Sequence, residues 1–391
     1  MVHMMRPLTV LFLFFTTSSV ISLKYRYKTY YYKQQVDHFG FTNVDKFPQR
    51  YLFCDESWNK NGGPIFFYCG NEGDISLFAE NTGFNTTYSG YLTSEQALAD
   101  YADLINHIKS TVKGAEKSPV IVFGGSYGGM LASWFRMKYP HIVDGAIAAS
   151  APILQFVGMT PCGKFGQVVT KDFTDQSKAC SEGIKWINEN WKLCRPLKNK
   201  EDLSYLKEFL TNVYGNLAMA DYPYPASFLA PLPANPIMRV CEFLKHPNFD
   251  STDFLLELFD GISVYFNYTK TARCLDHTKD ASSLLGDEGW DFQACTEMVM
   301  PFCYDGKSDF FEPTPWNFTE YSEMCYSKWK VMPRPLMPEI QYGGSKIRAA
   351  SNIVFSNGLL DPWSTGGVLK NLTDSLIAVN YPGRSSSPGS S

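Results

Sequence analysis

Pro119-Val-Ile-Val-Phe-Gly-Gly-Ser-Tyr-Gly-Gly-Met130 joins a β-branched and aromatic run to a G-x-S-x-G turn and then to a helix-forming segment. That order predicts a strand, a sharp turn presenting Ser126, and a helix, the arrangement of a nucleophile elbow. The chemistry needs glycines around such a serine, because the helix must pass close to the strand that precedes it. The motif alone would also suit a glycine-rich turn with an inert serine. Its flanks favour the nucleophile: Val120 to Phe123 has strand composition, and Met130 to Tyr139 keeps apolar residues at helical spacing until Pro140 stops it. Gly145-Ala-Ile-Ala-Ala-Ser150 follows as a second strand.

Working outward, Tyr30 to His38, Gln49 to Cys54 and Gly63 to Cys69 read as early strands, the last running into the glycine-rich turn Gly70-Asn-Glu-Gly-Asp74. Such a turn is where an acyl-transfer enzyme of this architecture places backbone donors for an oxyanion. Thr93-Ser-Glu-Gln96 carries a capping signal, and Ala97 to Lys109 has apolar residues three and four apart. Sheet character returns at Asn352 to Gly358 and at Ser375 to Asn380. Strands alternating with helices predict an α/β fold with a parallel sheet, interrupted by a helix-rich insertion. The expected parts are a secretory signal peptide at 1–23, a first hydrolase part at 24–154, a disulfide-rich helical cap at 155–337, a second hydrolase part at 338–380 and a disordered tail at 381–391.

At 391 residues, with 45% hydrophobic content and a formal charge of -4, the chain has no polybasic signature, so nucleic acid and anionic membrane are poor partners. The leader has Arg6, the apolar run Leu8 to Phe15 and a small-residue region after it; no later run is long and apolar enough to anchor. Ten cysteines and the sequons at Asn85, Asn267, Asn317 and Asn371 agree with secretory glycoprotein processing and a lysosomal or secreted destination. Eight of the cysteines lie between Cys162 and Cys325, predicting a stapled stretch, whereas Cys54 and Cys69, on neighbouring predicted strands, could pair or stay free and buried, the free form being favoured. There is no C-x-x-C pair and no histidine cluster, so neither a metal nor a cofactor is expected.

A serine nucleophile needs an acid and a base, in the order Ser, Asp, His for an α/β-hydrolase. Asp361, just after a predicted strand, is the candidate acid, although Asp361-Pro362 alone would also suit a turn. His3, His38, His107, His141, His246 and His277 all precede it, so no histidine follows in the expected place. Without an imidazole to take its proton, a serine hydroxyl is a weak nucleophile.

Further runs carry a resemblance: Asn81-Thr-Gly-Phe84, Leu92 to Asp100, Gly124 to Leu131, Phe135 to Pro140, Met300-Pro-Phe-Cys303, and Phe355-Ser-Asn-Gly358 with Asp361-Pro-Trp363. Together with the Gly70 to Asp74 turn, they make nearly all of the chain after the leader resemble the serine carboxypeptidase family that includes lysosomal Pro-X carboxypeptidase and dipeptidyl peptidase II. The resemblance implies a serine exopeptidase with a capped α/β-hydrolase sheet, hydrolysing the bond after a penultimate proline to release the C-terminal residue. Ser126 would be the nucleophile, Asp361 the acid and the Tyr127 amide an oxyanion donor. Met130, Met300 and Trp363 would line the proline pocket, each also suited to plain core. The implied disulfides are Cys162 with Cys303, Cys180 with Cys241, Cys194 with Cys274, and Cys295 with Cys325. The expected partners are peptides with a penultimate proline, and a homodimer is open.

Against that family the chain looks internally shortened between Phe84 and Tyr91, where a core strand would be absent, and between Cys180 and Cys194. It also looks truncated before the catalytic histidine. The expectation is therefore a family peptidase that is inactive as these residues stand. The alternatives are a dipeptidyl peptidase II-like aminopeptidase or a non-catalytic splice product acting only by binding.

Overall fold

The structure, a computed structural model, describes residues 27–70, 86–176, 200–227, 229–244, 252–271 and 288–383. The expected signal peptide, the turn residues 71–74, Asn85, Cys180, Cys194, Cys274, His3, His246, His277 and the tail from 384 lie outside them.

The sheet is built from the runs that the sequence marks as apolar and β-branched. Strands β3 (Ile65–Tyr68), β4 (Val120–Gly125), β5 (Gly145–Ala149), β6 (Ile353–Gly358) and β7 (Leu376–Tyr381) lie side by side in that order, all parallel. This is a parallel sheet with flanking helices, the α/β-hydrolase arrangement. The two strands following the insertion complete one side, so residues more than 200 positions apart meet: Ala146 pairs with Ile353 and Ala149 with Ser356.

Helix α1 (Ser94–Thr111) precedes β4, and α2 (Ser126–Lys138) starts at its end. Every residue of α2 from Tyr127 to Phe135 is buried, as expected for a helix passing under the sheet with protein on all sides. The capping signal before α1 works only in part. The Thr93 side chain accepts the Gln96 amide at 3.3 Å, but the Gln96 side chain turns outward to the His38 amide and to Asp37. An antiparallel pair, β1 (Lys28–Gln35) with β2 (Lys46–Phe53), forms a separate ribbon. It docks on α1 through the fully buried Gln34, whose amide donates to the Asp100 carbonyl at 2.9 Å, and through the Tyr32 hydroxyl on Asp103.

Between β5 and β6 the insertion supplies α3 (Lys164–Gln176), α4 (Lys200–Met219), α5 (Pro236–Phe243), α6 (Thr252–Phe266), α7 (Glu288–Thr296), α8 (Phe318–Trp329) and α9 (Met337–Tyr342). Buried side chains fall into two clusters, one under the sheet and one among α3 to α6; Phe302 and Trp363 pack against both. Disulfides Cys162–Cys303 and Cys295–Cys325 are present as expected. Cys241 is also disulfide-bonded. Cys54 and Cys69 are free, but only Cys69 is buried, and burial pushes its thiol pKa up; Cys54 at the end of its strand is exposed, contrary to expectation. Asn267 is half-buried, whereas Asn317 and Asn371 are exposed.

Among the described residues β3 is an edge strand. On its outer side a cavity of about 750 Å³ opens between β2, β3 and α1, lined by Tyr51, Phe53, Phe67, Tyr101, Leu104 and Ile108 among others. Phe66 on β3 is 65% exposed. No described helix is long and apolar enough to cross a membrane.

Candidate active site

Ser126 follows the last residue of β4 with φ of 52°, a left-handed conformation that is costly for a residue with a Cβ. The glycines around it are required by close approach. A Cβ on Gly124 would lie 2.4 Å from the Gly128 backbone, and one on Gly129 would lie 2.7 Å from the Ala149 carbonyl oxygen. The strand and the helix it feeds are thus nearly in contact, and Ser126 is held, half-buried, on the turn between them. Tyr127 is in the first turn of α2, where amide groups have no intrahelical acceptor and attract developing negative charge.

Asp361 lies three residues beyond β6 and is 1% exposed. Because β4 and β6 run parallel with β5 between them, Ser126 and Asp361 emerge at the same edge of the sheet. Asp361 caps a short 3-10 helix (Pro362–Gly366), its Oδ1 accepting the Trp363 amide at 3.0 Å. Burial pushes its carboxyl pKa up to about 7, against the lowering effect of the Ser150 hydroxyl and the Trp363 amide. Ser150 itself directly follows β5 and has φ of 44°. Strained serines thus end two adjacent strands, and Ser150, the nearer in strand order, bonds the Asp361 carboxyl, an arrangement that persists only where surrounding packing over-determines it.

Met130 is fully buried in the second turn of α2, and Met300 is 8% exposed; both belong to the cluster beneath the sheet, and Trp363 packs against that cluster from the Asp361 turn. The Trp363 ring meets Phe165 edge-on at 5.0 Å and Phe302 at 5.7 Å, and its indole N–H points at the Met219 sulfur. Phe165, Phe302 and Met219, absent from the sequence expectation, thus surround Trp363 with flat, apolar walls beside Asp361. Met130 offers no exposed surface and acts here as core.

The described histidines serve other places. His38 Nε2 is 2.7 Å from Asp100 Oδ1. His107 lies in α1 with its ring 4.6 Å from that of Tyr32, and His141 follows α2 beside Tyr139.

Another buried acid that sequence reasoning missed is Asp172 on α3. Neither of its carboxyl oxygens has a hydrogen-bond partner. Burial first, then Asp221 and Asp175, raise its pKa to about 8, opposed by Lys171, with a smaller raising contribution from Asp361. Nothing in the spacing of Lys164 to Gln176 distinguishes this acid from an exposed one; its burial comes from the packing of α3 against α4 and α5.

The sequence model of the serine carboxypeptidase S28 family matches residues 34–89 and 81–387. The match breaks into two pieces that overlap at 81–89, between β3 and α1. Human lysosomal Pro-X carboxypeptidase is 46% identical over 411 residues, covering 93% of this chain and 83% of its own. The mouse protein of the same name is 47% identical, with 91% and 82% covered. A Caenorhabditis elegans protein described as prolyl carboxy peptidase like protein 5 is 40% identical, with 88% and 80% covered. An aligned length of 411 exceeds the 391 residues of the chain, so these relatives carry segments within the matched region that this sequence does not.

Proposed function

The chain belongs to the serine carboxypeptidase S28 family, a family of serine hydrolases, and from that premise we propose that its site is built for the bond after a penultimate proline. Ser126 Oγ attacks the carbonyl carbon of that proline, and the Tyr127 amide donates to the oxygen on which charge develops. The amine of the C-terminal residue leaves with a proton, and water then releases the peptide from Ser126. Asp361 orients and charge-stabilises the base. Trp363, Phe165 and Phe302 give the proline ring flat apolar walls, with Met300 beneath. The observation that carries this reading is the strained Ser126 and the buried Asp361 on one sheet edge, with the Trp363 cluster beside them.

Residues 24–154 and 338–380 serve as the two hydrolase parts and 155–337 as the cap. The leader composition and the lysosomal names of the relatives support a lysosomal or secreted destination. Exposed Asn317 and Asn371 suit glycan attachment.

Among the described residues no histidine is placed as the triad's base: His38 is engaged with Asp100 on α1, His107 packs on Tyr32, and His141 lies beside Tyr139. Loss of the base lowers turnover by roughly four to six orders of magnitude. The test is release of phenylalanine from an N-blocked Pro-Phe dipeptide, compared with Ala-Phe, by the purified chain and by a chain carrying the longer relatives' internal and C-terminal segments. The reading expects background turnover from the first and proline-selective turnover from the second. Equal cleavage of both dipeptides by the second would overturn the proline assignment.

A further inference from the structure

Glu297 follows α7 and is fully buried, far in sequence from the elbow, yet hydrogen bonds connect the two. Its Oε1 accepts the Ser94 amide at 2.8 Å and the Gln293 side-chain amide at 3.3 Å; its Oε2 accepts the Ser94 hydroxyl at 3.0 Å. The same Gln293 nitrogen donates to the Tyr127 hydroxyl at 2.9 Å. On the other side the Tyr342 hydroxyl donates to Ser94 Oγ at 2.8 Å, with the Tyr342 ring stacked on Trp134 of α2 at 4.1 Å. Trp290 packs on the Tyr127 ring at 5.2 Å. The chain of bonds runs from α9 through the first residue of α1 to α7 and ends on the residue after the nucleophile.

We propose that Glu297 and Gln293 are positioning residues, which hold Tyr127, and with it the strained Ser126 turn, through the Tyr127 hydroxyl. This rests on the serine-hydrolase reading of Ser126. A left-handed serine is strained and relaxes unless its neighbours are pinned. The next residue is pinned at the far end of its side chain by a group from the insertion. Gln293 uses one nitrogen for both Glu297 and Tyr127, so the carboxylate sets which way that amide faces. A buried carboxylate is a costly way to fill space, and an apolar pair would pack at least as stably. What the carboxylate adds is direction: three donors converge on it, two of them from the N-terminal residue of α1, where the helix end favours a negative charge.

Protonating Glu297 removes acceptor capacity from a carboxyl whose oxygens are both in use, and so loosens Gln293. The titratable groups facing Glu297 are Glu95 of α1, Tyr127 of α2 and Tyr342 of α9. Burial and then Glu95 raise its pKa to about 7, against the Ser94 and Gln293 hydrogen bonds. The elbow should therefore be held more firmly above neutral pH than below it.

The experiment is hydrogen exchange of the segment 124–131 in the full chain, with Gln293→Met, Tyr127→Phe, the double variant and Glu297→Gln. This readout does not depend on turnover, so a failure of the peptidase reading, seen as an inert Ser126, stays distinct from a failure of this one. Each single variant should speed exchange of the elbow amides about tenfold, and the double variant no more than either, the mark of one shared bond. Exchange in the parent, corrected for intrinsic rates, should accelerate as pH falls through about 7, and Glu297→Gln should abolish that dependence. Tyr127→Phe removes a single oxygen and keeps the ring, so it decides the matter if the others fail to fold. Unchanged exchange in Tyr127→Phe, or effects that multiply in the double variant, would overturn the proposal.

Discussion

Replacing Asp361 by Asn removes the charge of the candidate acid while preserving its shape, and the structure fixes how the effect should vary with pH. The side-chain oxygen still accepts the Trp363 amide, made now at 3.0 Å, and the new amide group can donate to Ser150. What disappears is the cost of ionising a carboxyl that is 1% exposed. Its pKa rises from 3.8 to about 7 on folding, chiefly through burial. At about 1.36 kcal/mol for each pH unit, a rise of roughly three units is worth about 4 kcal/mol. The sign follows from the raised value. The native state binds the proton more tightly than the unfolded chain, so the contribution is complete below about pH 4 and is lost as pH climbs through about 7. Urea unfolding of both proteins from pH 4 to pH 8 measures this directly. Asp361→Asn should match the parent near pH 4 and exceed it by about 4 kcal/mol at pH 8. Taking the difference at each pH cancels the buried acids that do not feel Asp361, leaving only a small contribution from Asp172. A difference that stays flat across the range would refute the picture of a desolvated acid. The same reasoning identifies what a base would do: an imidazolium beside Asp361 would offset the burial and keep the carboxylate charged.

Gly129→Ala should destabilise by about 1–3 kcal/mol, because its Cβ would meet backbone oxygen of Ala149 and of Gly124; thermal melting checks this. Ser126→Gly should stabilise by about 1 kcal/mol by relieving a left-handed backbone, measured by the same melts, while eliminating any serine reactivity. Asp172→Leu should stabilise by about 1–3 kcal/mol at pH 7, since both carboxyl oxygens are buried without partners; a loss of stability in urea titrations would mean that the carboxyl has a bonded role.

The parts of the fold that were legible in the sequence are those fixed by local pattern. The run from Val120 through Gly129 determines a strand, a turn and a helix by itself, because only glycine fits at 124 and 129. The stretches at 65–68 and 145–149 could be placed in a parallel sheet because nothing polar interrupts them, and 353–358 because it opens with the apolar run Ile353-Val-Phe355. Asp361 was legible through its place after a strand and before Pro362. The rest depends on contacts between distant segments. Gln96 has the spacing of a capping partner for Thr93, yet the neighbouring ribbon offers it Asp37 and the His38 amide. Cys54 has a strand beside it in sequence but no layer above it in space. Asp172 and Glu297 look like ordinary polar positions on their own helices, and only the elements packed on them make them buried. Met130 and Trp363 came from resemblance; the structure keeps the first in the core and shows the second enclosed by Phe165, Phe302 and Met219, whose roles no local spacing announces.

The central claim is a peptidase elbow that none of the described histidines serves as base, and chemical rescue tests it most directly. A small base in solution can take the proton that a missing histidine would have taken. Covalent labelling of Ser126 by a fluorophosphonate, followed by intact mass, should be near the rate of the Ser126→Ala control in plain buffer. It should rise at least about tenfold, and saturably, with added imidazole, with no rise in the Ser126→Ala control. Fast stoichiometric labelling of Ser126 without imidazole would show that a base is already in place, and labelling indifferent to imidazole would show that the turn is not a poised nucleophile.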